Sequence, residues 1–151
     1  MADVELLKKL RNETQAGISD CRIALEETKG NYKRAIEWIR AKGFEKAAKK
    51  SDRETSQGLI ESYIHQSGRV GALVEILCET DFVARTDEFK NLSHEICMQV
   101  ASMNPKDVDS LLKQDYIRDA SKTIENLIKE AIAKLGENIV VKRLQRFEIG
   151  S

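Results

Sequence analysis

The apolar residues of this chain change from helical to alternating spacing near Gly58, and this change limits what the chain can fold into. Before that point apolar residues recur every three or four positions, as on one face of an α-helix. After it they alternate with other residues along two successive segments, as in β-strands. The pattern therefore predicts a helical module followed by a core that contains a sheet.

Three short amphipathic helices are predicted within residues 1–44. We expect Ser19 to cap the second helix and Asn31 to cap the third, because their side-chain oxygens can accept the free N–H groups of a first helical turn. Gly43 is expected to end the third helix. Three apolar stripes of this length can close over one small core.

Residues 45–57 are rich in charged side chains and contain few apolar ones. They fit either a solvated helix or a linker, and we expect the domain boundary here. The predicted division is into residues 1–54, a helical module with a basic linker, and residues 55–151, an α+β core. The run from Lys42 to Arg53 could contact nucleic acid. Its interspersed acidic residues, and the absence of an aromatic platform interleaved with the basic ones, favour a solvated helix instead.

The core is predicted to contain three strands and two helices. Residues 58–78 have the alternation and the central turn of a β-hairpin. Thr86 can cap the next helix, and Asn138–Ile149 alternates like a third strand. Such strands with helices over one face form an α+β core, whose free edges invite pairing. A second long helix is expected from Tyr116 to Leu135, burying Ile117, Ala120, Ile124, Leu127, Ile128, Ala131 and Leu135.

Charge and cysteine content narrow the possible partners and environments. Lys plus Arg and Asp plus Glu each number 25, so the basic excess typical of proteins that bind phosphate backbones is missing. No apolar run approaches the roughly 20 residues that span a bilayer, and Met1–Leu10 lacks the apolar core of a signal peptide. The three cysteines form no CxxC pair, which fits free thiols in a reducing cytosol. We expect a cytoplasmic protein without a membrane or direct nucleic-acid partner.

Residues that could support catalysis or bind a cofactor are few. His94-Glu95 resembles the start of a HExxH zinc motif, but Met98 occupies the position of the second histidine. The glycine-rich patterns that bind nucleotide phosphates are absent from the sequence, and no serine or cysteine has a recognisable nucleophile setting. The sequence therefore predicts no enzymatic activity, no cofactor and no metal site.

The segment Thr80–Arg85 lies at the corner between the second strand and the next helix. Phe82 and Val83 would expose apolar surface there unless they pack inward, which their character favours, or contact a partner. A partner pocket that buries a phenylalanine gains ~1.5–3 kcal/mol. Asp81 could compete there for a hydrogen-bond donor or disturb a cation site of the partner. These residues alone do not identify the partner.

Four motifs span nearly the whole chain, and they are Leu10–Cys21, Lys46–Lys50, Cys78–Arg85 and Ile132–Ile139. In this order they resemble the motifs of the elongation factor Ts family. The resemblance implies an N-terminal module of the ubiquitin-associated type. It also implies a protein that binds the GTPase elongation factor Tu and promotes release of its GDP, without covalent chemistry.

The resemblance also implies which residues contact the partner. Asp81 and Phe82 would form a wedge beside the magnesium and phosphate region of the partner's nucleotide site. The wedge and its adjacent contact comprise Thr80, Asp81, Phe82, Val83, Leu135 and Gly136. A second set, on the helical module, would dock on a helix of the partner's nucleotide domain: Lys8, Arg11, Ile18, Ser19 and Arg22.

Two features of this chain depart from the pattern of other family members. It has one core subdomain and so resembles the short form of the family, which works as a homodimer. Its stretch Lys106–Lys122 is shorter than short-form relatives usually have, which affects the expected contacts with the partner's barrel domains. Other hypotheses are a binding adaptor, whose helical module captures a protein ligand, and an RNA-binding factor, which the balanced charge disfavours.

Overall fold

Helices open the chain, and strands and helices follow, in a computed structural model that describes residues 3–151. This order confirms the predicted α+β class with a three-stranded antiparallel sheet. No helix in the described part of the chain has the length and apolar character to cross a membrane. The elements are α1 Val4–Thr14, α2 Ile18–Glu27, α3 Tyr32–Lys49, β1 Gln57–Ile64, β2 Val70–Cys78, α4 Asp81–Ala84, α5 Asp87–Met103, α6 Val108–Lys113, β3 Asp115–Tyr116, β4 Asp119–Thr123, α7 Ile124–Leu135 and β5 Val140–Glu148.

The first three helices enclose a small core of their own. Its fully buried members are Leu10, Cys21, Ala24, Leu25 and Ala35. As predicted, the Asn31 side chain caps α3 by accepting a hydrogen bond from the backbone N–H of Arg34 at 3.2 Å. Ser19 does not cap α2, which begins at Ile18 after Gly17. The likeness of these helices to a ubiquitin-associated fold stays a prediction.

The third helix does not end at Gly43 as predicted but continues to Lys49. Gly43 serves a packing role instead, because a Cβ atom added there would lie 3.1 Å from the Cβ of Ala133 in α7. The glycine thus lets the two helices approach closely, and Ala47 in the next turn is buried in the main core. Residues 45–49 are therefore helical. The domain boundary after residue 54 stays a prediction.

The sheet has the order β1-β2-β5, with β2 antiparallel to both neighbours. One face of β2 carries the buried residues Ala72, Val74, Ile76 and Cys78, and α5 packs over β1 and β2 on that side. This face accounts for the predicted alternation of the second strand, because successive strand residues point to opposite faces. The long helix α7 packs against α3, α5 and α6.

The predicted start of the second long helix at Tyr116 is wrong, because α7 begins at Ile124. Residues 115–123 instead form the small β3–β4 hairpin, in which Ile117 and Ala120 are exposed. The buried side chain of Gln99 holds this hairpin by accepting from the N–H of Ile117 and donating to a backbone carbonyl, each at 3.0 Å. Helical periodicity in a sequence does not show such a long-range polar contact.

The other face of the sheet is uncovered in the single chain and carries exposed apolar side chains. We define this outer-face patch as Ile60, Ile64, Leu73 and Phe147, whose exposed fractions lie between 48% and 70%. Ile64 and Phe147 flank Gly71 in the strand register, and the side chain of Ile64 reaches over that glycine. The first strand therefore directs two of its isoleucines away from the core.

Candidate partner-binding site

The segment Thr80–Arg85, which we call the tip, contains a single helical turn between β2 and α5. Thr80 caps this turn, α4, because its hydroxyl oxygen accepts a hydrogen bond from the N–H of Val83 at 3.3 Å. Thr86 caps α5 in the same way, through the N–H of Phe89 at 3.2 Å, as predicted. Two successive threonine caps thus let the chain turn sharply between strand and helix.

Phe82 points outward, with 77% of its surface exposed. The inward packing that its apolar character favours does not occur at this residue. Val83 is half-buried against the core and Ala84 is buried, so they take the inward side of the turn. Successive residues of a helix point about 100° apart, and a single turn cannot bury all three. The structure therefore leaves a large aromatic ring free for a partner.

Asp81 pairs with Arg85 across the tip, with a carboxylate oxygen 2.6 Å from a guanidinium nitrogen. The guanidinium carbon also lies 5.8 Å from the centre of the Phe82 ring. Both charged side chains are more than half exposed, so the pair contributes only ~0–1 kcal/mol to stability. A partner can therefore draw Asp81 away from Arg85 at little cost.

The residues after α7 contact Glu79 and Thr80, which we call the base of the tip. Gly136 ends that helix with a φ of 79°, a left-handed conformation that glycine adopts without steric cost. The carboxylate of Glu137 then accepts hydrogen bonds from the tip's base, including one from the Thr80 hydroxyl at 2.7 Å. Leu135 is half-buried and Gly136 is exposed. Leu135 and Gly136 thus directly precede the residue that contacts Thr80.

The buried thiol of Cys78 also contacts the base of the tip. Its Sγ donates a hydrogen bond to the carbonyl oxygen of Thr80 at 3.1 Å. Burial, and to a smaller extent the negative charge of Glu137, raises the pKa of the Cys78 thiol to about 11. The thiol is therefore protonated at neutral pH and remains a donor.

The second predicted set of contact residues lies on α1 and α2, apart from the tip in the fold. All five side chains are exposed, and Ile18 exposes 50% of its surface. Their scaffold is the separate small core of the helical module. The set members are Lys8, Arg11, Ile18, Ser19 and Arg22.

The residues of the incomplete zinc motif make structural contacts. His94 packs edge-on against the ring of Tyr63, with their centres 5.9 Å apart, and Glu95 pairs with Arg118 at 2.6 Å. Within residues 3–151, no group of three or more potential ligands from His, Cys, Asp and Glu is arranged to hold a metal ion.

The sequence alone does not indicate the contacts that Arg85 and Glu137 make with the tip. Arg85 was inside the tip motif, and Glu137-Asn138 was inside the motif at the end of α7. The position of Glu137 directly after a helix-ending glycine was the only available signal. Its contact with Thr80 spans 57 positions of the chain, which no local pattern predicts.

Comparisons with known proteins identify the family of the chain. The sequence model of the elongation factor TS family matches residues 79–151. Elongation factor Ts of Thermoanaerobacter sp. is 42% identical over 195 aligned positions, covering 99% of this chain and 96% of the relative. Elongation factor Ts of Nostoc sp. is 47% identical over 151 positions, covering 99% of this chain but 48% of the relative.

The two alignments differ in length, and the difference shows which relative has insertions within the matched region. The Thermoanaerobacter alignment has 195 positions against the 151 residues of this chain, a difference of 44, so the relative carries extra residues inside the matched region. The Nostoc alignment has no such excess. In both cases the similarity includes the helical module, the tip and the end of α7. This chain belongs to the elongation factor Ts family, a family of translation elongation factors.

Proposed function

We propose that the protein is a guanine-nucleotide exchange factor that binds elongation factor Tu carrying GDP and promotes GDP release, without covalent chemistry of its own. The observation that carries the proposal is Phe82, an aromatic side chain with 77% of its surface exposed on a firmly hydrogen-bonded base. An exposed ring on a well-ordered base is suited to enter a pocket of a partner. Family membership supports elongation factor Tu as that partner.

The energetics of exchange fit a tip of this size. The factor and GDP must weaken each other's binding to the partner by the same ratio, because coupling between two sites is reciprocal. Each tenfold weakening of GDP requires ~1.4 kcal/mol of differential binding. Burial of one phenylalanine contributes ~1.5–3 kcal/mol. Phe82 could therefore weaken the binding of GDP by one or two powers of ten.

Asp81 is proposed to act beside Phe82 near the magnesium and phosphate region of the partner. Its ion pair with Arg85 is exposed and easily released. A freed carboxylate there would compete for hydrogen-bond donors or for a cation that otherwise hold the nucleotide. Thr80 and Val83 hold these two residues in place, and Leu135 and Gly136 provide the adjacent contact surface.

The helical module is proposed to supply most of the affinity. Ile18 is a half-exposed apolar residue on the same module as the cations Lys8, Arg11 and Arg22, a mixture suited to the surface of a protein partner. The residue at position 19 is serine, which offers little apolar contact. Docking through this module would offset the cost of distorting the nucleotide site.

The protein is further proposed to act in the cytoplasm as a homodimer. The outer-face patch leaves four large apolar side chains exposed on a regular sheet, as expected for a surface that a second copy covers. The balanced charge of the chain, 25 basic and 25 acidic residues, supports protein partners rather than direct contact with nucleic acid.

The test is release of labelled GDP from elongation factor Tu after mixing with this protein and excess unlabelled nucleotide. We expect release to accelerate with protein concentration until it saturates. Binding without acceleration would contradict exchange activity and favour the adaptor hypothesis. RNA affinity that falls steeply with salt would instead support the RNA-binding hypothesis.

A further inference from the structure

Glu137 connects the end of α7 to the tip through three hydrogen bonds. One carboxylate oxygen accepts from the backbone N–H groups of Glu79 and Thr80, at 3.2 and 3.0 Å. The other oxygen accepts from the Thr80 hydroxyl at 2.7 Å. The side chain of Glu137 is half-buried. Hydrogen bonds to an ionised acceptor are roughly twice as strong as neutral ones, so this group restrains the Thr80 backbone firmly.

Thr80 transmits this restraint to Phe82, because Thr80 is the cap of α4. The same hydroxyl that donates to Glu137 accepts from the N–H of Val83 at 3.3 Å. The carbonyl of Thr80 accepts from the Cys78 thiol and, at 3.3 Å, from the N–H of Ala84. Every polar group of Thr80 is therefore engaged. Thr80 therefore links Glu137 directly to the turn α4 that carries Phe82.

A second set of contacts runs in the opposite direction between the same two segments. The carboxylate of Glu79 accepts from the backbone N–H of Asn138 at 2.9 Å and lies 3.6 Å from the guanidinium of Arg53. The side-chain amide of Asn138 donates to the carbonyl of Arg53 at 2.9 Å. Residues 79–80 and 137–138 thus form a reciprocal clasp, and the segment after α3 is attached to it.

From these contacts we infer that Glu137 is a positioning residue for nucleotide exchange, acting through Thr80 to hold the Phe82 ring in its binding orientation. This inference rests on the proposed exchange function. A tip without the clasp still exposes a phenylalanine, but the partner must then order the tip during binding, which consumes part of the binding energy. The proposed docking residues lie on α1 and α2, whereas the clasp contacts only the segment after α3, so docking through them persists. Loss of Glu137 therefore lowers the maximal exchange rate much more than it raises the concentration for half-saturation.

The first test compares GDP release from elongation factor Tu for the wild type, Glu137→Ala, Glu137→Gln and a control, Glu95→Gln. Glu95 is a partly buried carboxylate on α5 whose close ion pair is with Arg118 and not with the tip, which makes it a matched control. We expect Glu137→Ala to reduce the maximal rate at least about tenfold, equivalent to ~1.4 kcal/mol. Glu137→Gln keeps the side-chain volume and one acceptor oxygen, so its maximal rate should lie between those of Glu137→Ala and the wild type. The maximal rate of Glu95→Gln should match that of the wild type.

The second test measures the clasp in the isolated protein by amide hydrogen exchange. We expect the N–H groups of Glu79 and Thr80 to be protected in the wild type and to lose protection in Glu137→Ala, while the centre of β2 stays protected. If Glu137→Ala does not fold, the same measurement is made on Glu137→Gln. A wild type without exchange activity would contradict the proposed function. An active wild type whose Glu137 variants match its maximal rate, or keep both amides protected, would overturn the positioning role alone.

Discussion

The tip and the outer-face patch each expose a phenylalanine, but they hold it in different ways. Phe82 is 77% exposed and Phe147 is 70% exposed. Phe82 lies on a one-turn helix whose cap is fixed by a buried thiol and by a carboxylate from a distant part of the chain. Phe147 lies on a regular strand, next to other apolar residues and opposite Gly71 in the register. Polar contacts from distant residues therefore support the Phe82 ring, whereas apolar neighbours on a sheet surround the Phe147 ring.

This difference indicates two different kinds of interface. A single ring on a hydrogen-bonded base suits a pocket, where its orientation determines how much binding energy is gained. A flat group of apolar side chains on a sheet suits a broad contact, where the buried area matters more than the direction of one side chain. Exposure alone does not distinguish these roles, whereas the polar contacts behind each ring do.

The largest effect is expected from placing a charge in the outer-face patch. The Phe147→Glu change should raise the dissociation constant of the proposed homodimer at least about a hundredfold, equivalent to ~2.7 kcal/mol. The reason is that an unpaired carboxylate is costly to bury in an apolar interface. Sedimentation equilibrium of the wild type and the variant measures the constant.

The matched control for this comparison is Phe82→Glu, which introduces the same charge on the tip. It should leave the dissociation constant of the dimer unchanged. A wild type that is monomeric at every accessible concentration would contradict the dimer. Equal weakening by both changes would show that the two surfaces are not separate.

The buried thiols behind the two regions, Cys78 and Cys97, should have a smaller effect, which is a dependence of the free energy of unfolding on pH. Burial raises the pKa of Cys97, which lies behind the sheet, to about 12, compared with about 11 for Cys78 behind the tip. Unfolding lets each thiol ionise near its ordinary pKa, so the unfolded state binds fewer protons above about pH 9. The free energy of unfolding should therefore fall as pH rises from there towards the folded-state values, by up to ~1.4 kcal/mol per pH unit for each thiol.

Urea unfolding of the wild type and Cys97→Ala between pH 8 and pH 10.5 tests this expectation. The alanine variant has one ionising thiol fewer, so its stability should decline less steeply with pH. The difference in stability between the two proteins should therefore narrow as pH rises. Parallel curves would mean that the Cys97 thiol does not contribute to the pH dependence.

The smallest effect is expected at Asp81. The Asp81→Asn change should alter the free energy of unfolding by less than about 0.5 kcal/mol, because the ion pair with Arg85 is exposed on both sides. Urea unfolding at neutral pH measures the change. A loss of more than about 1 kcal/mol would indicate that this pair, rather than the clasp around Glu137, stabilises the tip.

Local patterns in the sequence predicted much of the fold. The alternation that buries Val74 and Ile76, and the threonine cap before α5, depend on neighbouring residues and were correctly placed. The errors came from contacts between distant residues. Gly43 continues a helix because it packs against Ala133, and Gln99 holds residues 115–123 in a hairpin rather than a helix.

The same limit applied to the candidate site. The motif around Phe82 indicated where the tip lies, but the outward direction of the ring follows from how Val83 and Ala84 pack, which the sequence did not show. The residue that holds the tip, Glu137, was visible only as part of a second motif. Its partner Thr80 is 57 positions earlier in the chain, so only the folded structure joins them.

The most direct test of the central claim is the rate of GDP release from elongation factor Tu at a saturating concentration of Phe82→Ala, compared with the wild type and with Met103→Ala. Met103 is a control because it is also an exposed apolar side chain, 48% exposed at the end of α5. We predict that Phe82→Ala still binds the partner but releases GDP at least about tenfold more slowly, equivalent to ~1.4 kcal/mol, while Met103→Ala matches the wild type. A Phe82→Ala protein that saturates at the wild-type rate would contradict the account.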